Sequence, residues 1–264
     1  MNERLGNNRL VFVWLMGGLG NVLFQVNFGM YLEQRGYKVQ FVENLTHTNW
    51  VTKILGWKIH DVVYPSLISA EFTQQRWTPL LLAKSGLMKK FAQYYGKGHL
   101  PERPALHTFG YFQEKALLRK ILITIKDPRI VQREAVNPVI HLRLTDSNYG
   151  SENINNLLHL KNLMPNQRFT IVTDDPLKTQ ELIRDIKLDA AIRHGDVLSD
   201  FYFLTSAKKL LLADSTFSWW AAALSENLND VWIPNRLFQE LGFPQSFQVT
   251  QKISGLVQLK RTMR

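Results

Sequence analysis

The chain has 264 residues, 45% of them hydrophobic and 20% charged, which is enough for one large domain or two compact ones with separate cores. It contains no cysteine, so a disulfide framework and a thiolate metal site are both excluded. No apolar window approaches the roughly 20 residues of a membrane-spanning helix, and 32 basic against 22 acidic side chains leave a net charge of +10 that restricts partners more than fold.

Residues 10–14 have the β-branched and aromatic content of a buried strand. Gly17-Gly18-Leu19-Gly20-Asn21 follows, then a helix over 22–34 with Val22, Leu23, Val26 and Met30 near one stripe and Gly36 as its stop. Residues 37–42 alternate as a strand and complete a βαβ unit. Between 46 and 138 the pattern is less regular, with helices expected over 80–95 and 113–120 and a Gly/Pro-rich connection over 96–104. Beyond Pro138, strands are predicted at 139–142, 168–173, 190–193, 210–213 and, as the last of the chain, 231–233. The helices between them are predicted at 152–164, 176–187, 200–208 and 217–226. This alternation predicts an α/β protein with parallel sheet covered on both faces. Asp127-Pro128 and Asn137-Pro138 mark a boundary, giving an N-terminal domain over 1–130 and a C-terminal domain over 131–264.

Three strand ends carry polar residues where open α/β sheets bind ligands, which suggests a phosphorylated ligand. At the first, Gly17, Gly18 and Gly20 let the backbone turn tightly and approach a ligand at a helix N-terminus. The spacing G-G-x-G-N matches neither the dinucleotide fingerprint nor the Walker loop, so a tight turn without a ligand remains open. At the second, His141-Leu142-Arg143, alternation puts His141 and Arg143 on one face, and the Arg143 fork suits a diphosphate. The adjacent carboxylates of Asp174-Asp175-Pro176 do not make a metal-binding Asp-x-Asp. Asp175 reads either as a helix cap before proline or as a partner for a ligand hydroxyl or Arg143. At the third, Ser215, Thr216 and Ser218 open a helix. One of them is expected as its N-cap, and their hydroxyls and N–H groups suit phosphate oxygens. Trp219-Trp220 reads as helix-to-sheet packing, with an indole against a sugar or base as the alternative.

Basic residues concentrate over 76–103 and 115–133, which is compatible with a solvated face, with peripheral contact on an anionic membrane, or with a diphosphate substrate. Nucleic acid is not expected, because neither stretch holds a reader motif.

In order, Gly17-Gly18-Leu19-Gly20-Asn21 with Phe24-Gln25, Gly110-Tyr111-Phe112-Gln113, His141-Leu142-Arg143 with Asp146, Asp174-Asp175 and Phe217-Ser218-Trp219-Trp220 resemble the motifs of the α1,2-fucosyltransferases, glycosyltransferase family 11. The resemblance runs from about residue 11 to 238. It implies a GT-B-like fold of two Rossmann-like domains, a parallel sheet in each, with an interdomain cleft and the donor on the C-terminal side. It implies inverting transfer from GDP-fucose to the 2-hydroxyl of a galactose-containing glycan, with no metal and no other cofactor. A cytoplasmic place in bacterial surface-polysaccharide synthesis also follows from it, while peripheral contact on the inner membrane is an expectation from the basic residues alone. Arg143 matches the arginine that holds the donor pyrophosphate, and Asn21 matches a donor-facing asparagine. The donor-binding set is Gly18, Gly20, Asn21, His141, Arg143, Asp175, Ser215, Thr216 and Ser218. Arg143 and Asp146 are the catalytic candidates, with Asp146 read as a general base, as an orienter of Arg143, or as a turn cap. The chain departs from the family pattern at Val22, at Leu144 in place of a second arginine, and at Asp214 in place of an asparagine. A carboxylate repels a diphosphate, so Asp214 is expected to point away or to pair with a base. Another GDP-deoxyhexose as donor, or a noncatalytic sugar- or nucleotide-binding relative, stays open.

Overall fold

The first strand, β1 (Leu10–Leu15), buries Val11, Val13, Trp14 and Leu15, so both of its faces are covered as in the middle of a sandwiched sheet. The computed structural model describes residues 8–44, 72–75, 79–96, 100–119, 121–123, 137–145, 150–253 and 255–262. They belong to two units, Met1–Lys126 and Asp127–Arg264.

In the first unit, β1 leads through a glycine turn into α1 (Leu19–Gln34), which begins three residues earlier than the apolar stripe suggests. Its close approach to β2 (Lys38–Asn44) rests on Gly29, where a β-carbon would stand 2.4 Å from the Phe41 ring. Next come β3 (Phe72–Gln75), α2 (Leu80–Ser85), β4 (Ala92–Tyr95), β5 (His107–Gly110) and α3 (Lys115–Leu118). The five strands are parallel in the order β3-β2-β1-β5-β4, so the strand order reverses between β1 and β5. Trp14, Val42, Ala83, Ala92 and Phe109 form a core cluster of this unit.

The helix expected over 80–95 ends at residue 85. Gly86 takes a left-handed conformation at its C-terminus, and Ala92–Tyr95 pairs with β5 as a strand instead. The helix expected over 113–120 shortens to the single turn Lys115–Leu118.

The second unit follows the predicted alternation closely. Its elements are β6 (Val139–Leu142), α4 (Gly150–Leu163), β7 (Phe169–Thr173), α5 (Pro176–Asp185), β8 (Ala190–Arg193), α6 (Val197–Thr205), β9 (Lys209–Leu211), α7 (Thr216–Leu224) and β10 (Asp230–Pro234). Then come α8 (Asn235–Leu241) and two further strands, β11 (Phe247–Ile253) and β12 (Leu256–Arg261). Residues 231–233 are therefore not the last strand. The hairpin β11–β12 adds antiparallel to β10 and makes this sheet mixed, in the order β11-β12-β10-β9-β6-β7-β8. β10 through β8 are parallel, and their order reverses between β6 and β9. A cluster including Ile140, Leu142, Leu157, Phe169, Ile171 and Leu211 forms a core of this unit.

Candidate functional site

Gly17–Asn21 and Gln113 in the first unit, and Arg143 and Ser215 in the second, lie beyond the carboxyl ends of the two strands at which the order reverses, the place where open α/β sheets take ligands. In the first unit these ends are the loop after β1 and the segment after β5. Gly17 has a φ of 82°, which favours glycine, and a β-carbon there would lie 2.8 Å from Asn21 Nδ2. Gly18 is the N-cap of α1, and Gly20 is buried in its first turn. Gln25 explains how the turn holds its shape. Its buried amide accepts from the Met16 N–H at 2.8 Å and donates to the Met16 carbonyl at 3.1 Å, satisfying the backbone where it leaves the sheet. Gln113, three residues past β5, donates to Asn21 Oδ1 at 3.3 Å, so two motifs far apart in sequence meet here. Gly110, with φ 154°, lets the chain pass Tyr95, whose carbonyl would stand 2.7 Å from a β-carbon. Phe112 stacks on Phe28 of α1 at 3.9 Å between ring centroids.

In the second unit, Arg143 follows β6 and Ser215 follows β9. Arg143 Nη1 donates to Ser215 Oγ at 3.4 Å, while the Asn153 amide of α4 donates to the Arg143 carbonyl at 3.2 Å. Ser215 is the N-cap of α7, accepting from Phe217 N–H at 3.2 Å, so a guanidinium stands at the positive end of that helix. A guanidinium beside a helix N-terminus is the kind of arrangement that suits an anion such as phosphate. Thr216 is the first residue of α7 and is half-buried.

His141 is 8% exposed, its ring 5.6 Å from that of Phe217, and its Nδ1 has no hydrogen-bond partner among the described residues. Burial, and then the neighbouring charge of Arg143, push its pKa down from 6.5 to about 4, against a smaller opposing pull from Asp174. The imidazole is therefore neutral at pH 7.

The two aspartates after β7 have separate tasks. Asp174 shapes the Arg143 loop from outside: its carboxylate accepts from Leu144 N–H at 2.8 Å and from the Thr145 hydroxyl at 2.6 Å. Asp175 caps α5, accepting from Lys178 N–H at 3.1 Å, and pairs with the Lys178 ammonium at 3.4 Å, so its carboxylate is engaged at the start of α5. Ser218 lies fully buried, its hydroxyl donating to the carbonyls of Ala213 and Ser215 at 3.4 and 3.3 Å, inside the helix–sheet packing rather than at the ligand end. Trp219 and Trp220 are both fully buried core side chains. Asp146 lies outside the described residues.

One residue of this region belongs to no sequence motif. Asp214 does pair with a base, and the base is Arg236 of α8, which donates to Asp214 Oδ2 from Nε at 2.6 Å and again from Nη2. Arg236 also donates to Glu240 at 3.0 Å. A second guanidinium thus stands at the carboxyl end of β10, one strand over from Ser215, in a chain that has Leu144 where the motif has its second arginine. The signal was the carboxylate itself, which needed a cation in space and not in sequence. Among the described residues no group of three His, Asp or Glu side chains is gathered as metal ligands.

No protein-family model matches the chain, and no curated relative matches it. Among solved structures, it is similar to a glycosyl transferase of family 9 from Veillonella parvula, at 10% identity over 84% of this chain and 80% of that one, with a TM-score of 0.45. It is also similar to the E. coli heptosyltransferase WaaC with ADP, at 13% identity, 81% and 84% coverage and a TM-score of 0.42. A third is the Acinetobacter baumannii MurG, at 13% identity, 82% and 77% coverage and a TM-score of 0.32. At that level of likeness none of the three speaks to the donor, the acceptor or the chemistry of this chain.

Proposed function

We propose that the chain is a glycosyltransferase of the GT-B type that moves fucose from GDP-fucose, with inversion, to the 2-hydroxyl of a galactosyl acceptor. The observation that carries this reading is the meeting of Arg143 with Ser215 and the N-terminus of α7 at the reversal of strand order. A planar fork of donors beside a helix N-terminus suits a diphosphate, and the five motifs found in order along the chain support GDP-fucose as its bearer.

In the proposed displacement, the acceptor 2-hydroxyl oxygen attacks the anomeric carbon from the side opposite the diphosphate. The bond from that carbon to the diphosphate oxygen breaks, its electron pair stays on the β-phosphate, and GDP leaves. The hydroxyl proton passes to a base, for which Asp146 is the carboxylate nearest in sequence to Arg143. Positive charge builds on the sugar ring as in other glycosyl transfers. Negative charge on the β-phosphate is offset by Arg143 and the α7 amides, oriented before the reaction starts. Neutral His141 beside them offers a hydrogen-bonding edge without adding charge.

The test is incubation with GDP-fucose and galactosides, following GDP release and the linkage of the product. Arg143→Ala lowers turnover by about 10²- to 10³-fold while the fold is kept. Equal turnover in variant and parent overturns the assignment. A second reading, transfer from a different GDP-deoxyhexose, is favoured by Leu144, which packs against the core of the second unit and brings no charge to the donor. Competition between GDP-fucose and other GDP-deoxyhexoses separates the two.

A further inference from the structure

The turn that follows α2 exposes two large apolar side chains side by side, Leu87 at 81% and Met88 at 51%. Isolated exposed leucines are ordinary, but a pair on a fixed backbone within a basic segment is not. The backbone here is fixed from both ends. Gly86 holds a left-handed φ of 69°, and the Leu87 N–H donates to Ser85 Oγ at 3.4 Å. The Met88 carbonyl accepts from both Phe91 and Ala92 N–H at 2.9 Å. Phe91 and Lys90 carbonyls are in turn bonded by His107 and Leu106 N–H at 2.7 and 3.2 Å. Ala83 before the turn and Ala92 after it are buried in the core cluster of the first unit. The backbone on both sides of the tip is thus tied to the fold, and the apolar pair is displayed at its surface.

Lys84, Lys89 and Lys90 are exposed around this pair, and no acidic residue lies between Lys84 and Arg103 except Glu102. Of the surfaces that would meet such a tip, a second copy of the chain would bring the same three lysines against their like. A nucleic-acid duplex would take the lysines but leave two aliphatic chains unused. An anionic bilayer interface takes both, with apolar tips in the headgroup–acyl boundary and ammonium groups among the phosphates. We propose that the 84–90 turn docks the protein on an anionic lipid surface, with Leu87 and Met88 inserting and Lys84, Lys89 and Lys90 contacting headgroups. No helix among the described residues is long and apolar enough to cross a membrane, so the contact proposed is peripheral. It stands whether or not the proposed transfer reaction does.

The test is co-sedimentation of the full chain with vesicles of phosphatidylcholine mixed with phosphatidylglycerol, against phosphatidylcholine alone. The parent binds the anionic vesicles in preference. A Leu87→Ser/Met88→Ser variant loses tenfold or more of that partitioning, and each of Lys84→Gln, Lys89→Gln and Lys90→Gln loses about fivefold. Because the altered side chains are exposed, circular dichroism and the thermal midpoint stay as in the parent. Leu87→Trp reports insertion directly, its emission moving to the blue on addition of anionic vesicles and staying put with phosphatidylcholine. A parent that ignores anionic vesicles overturns the proposal. So does a serine variant that binds like the parent, which would assign the attraction to overall charge, or lysine variants that lose duplex DNA binding and not vesicle binding.

Discussion

Removing the Arg236 guanidinium strands a carboxylate in the protein interior. The Asp214 side chain is 2% exposed, its Oδ1 has no partner among the described residues, and its Oδ2 takes two donors from Arg236. Breaking a fully buried ion pair from one side costs about 3–5 kcal/mol, whereas an exposed pair is worth about 0–1 kcal/mol. Arg236 is itself 36% exposed, so water screens the pair in part, and Arg236→Leu is expected to cost about 2–3 kcal/mol. Asp214→Asn acts from the other side: it removes the buried charge and leaves Arg236 to solvent and Glu240, for about 1 kcal/mol or less. The double variant is then expected to be nearer to Asp214→Asn than to the sum of the two, because the second change removes what the first left stranded. Urea denaturation of the four proteins, followed by tryptophan fluorescence, measures this directly. An Arg236→Leu loss no larger than that of Asp214→Asn, or strict additivity in the double variant, refutes the reasoning.

Because burial lowers the His141 pKa from 6.5 to about 4, the unfolded chain binds the extra proton between those values and the folded one does not. The stability this site contributes is therefore fully present above about pH 6.5 and declines as pH falls toward 4, by an amount on the order of 3 kcal/mol. His141→Gln removes that slope, and denaturation midpoints measured across this range in both proteins check it; parallel profiles count against it. Ser215→Ala removes the α7 cap for about 1 kcal/mol, while Ser215→Gly costs only a few tenths. Thermal midpoints rank the two, and equal losses would mean that the hydroxyl is not acting as a cap.

Where the chain punctuates itself, the fold is legible from the residues. β1, the glycine turn, α1 and β2 are marked by an apolar run, three glycines and Gly36. In the second unit, Asp175-Pro176 and Ser215-Thr216 announce helix starts at which caps are observed. Legibility fails where neighbours in space decide the conformation. Ala92–Tyr95 carries helix-like spacing with residues 80–85 and becomes a strand because β5 offers it a parallel partner. β11 is an edge strand whose residues 248–252 are all exposed, so it lacks the apolar alternation by which strands are recognised. The candidate site shows the same division. Arg143 and Ser215 are visible because each lies within two residues of the end of an apolar run. Arg236 is not, since it meets Asp214 across adjacent strands, 22 residues away. Ser218 reads as a hydroxyl at a helix start, yet in the third helical position its side chain turns back onto Ala213 and Ser215.

Calorimetric titration with GDP, with UDP and ADP as controls, tests most directly whether the Arg143–Ser215 junction is a nucleotide diphosphate site. Saturable binding of GDP is expected, with weaker binding of the other two, and Arg143→Ala should weaken GDP by tenfold or more, about the 1.4 kcal/mol of one charge-assisted contact. An Arg143→Ala variant that binds GDP as the parent does, or a parent that binds no nucleotide, contradicts the account.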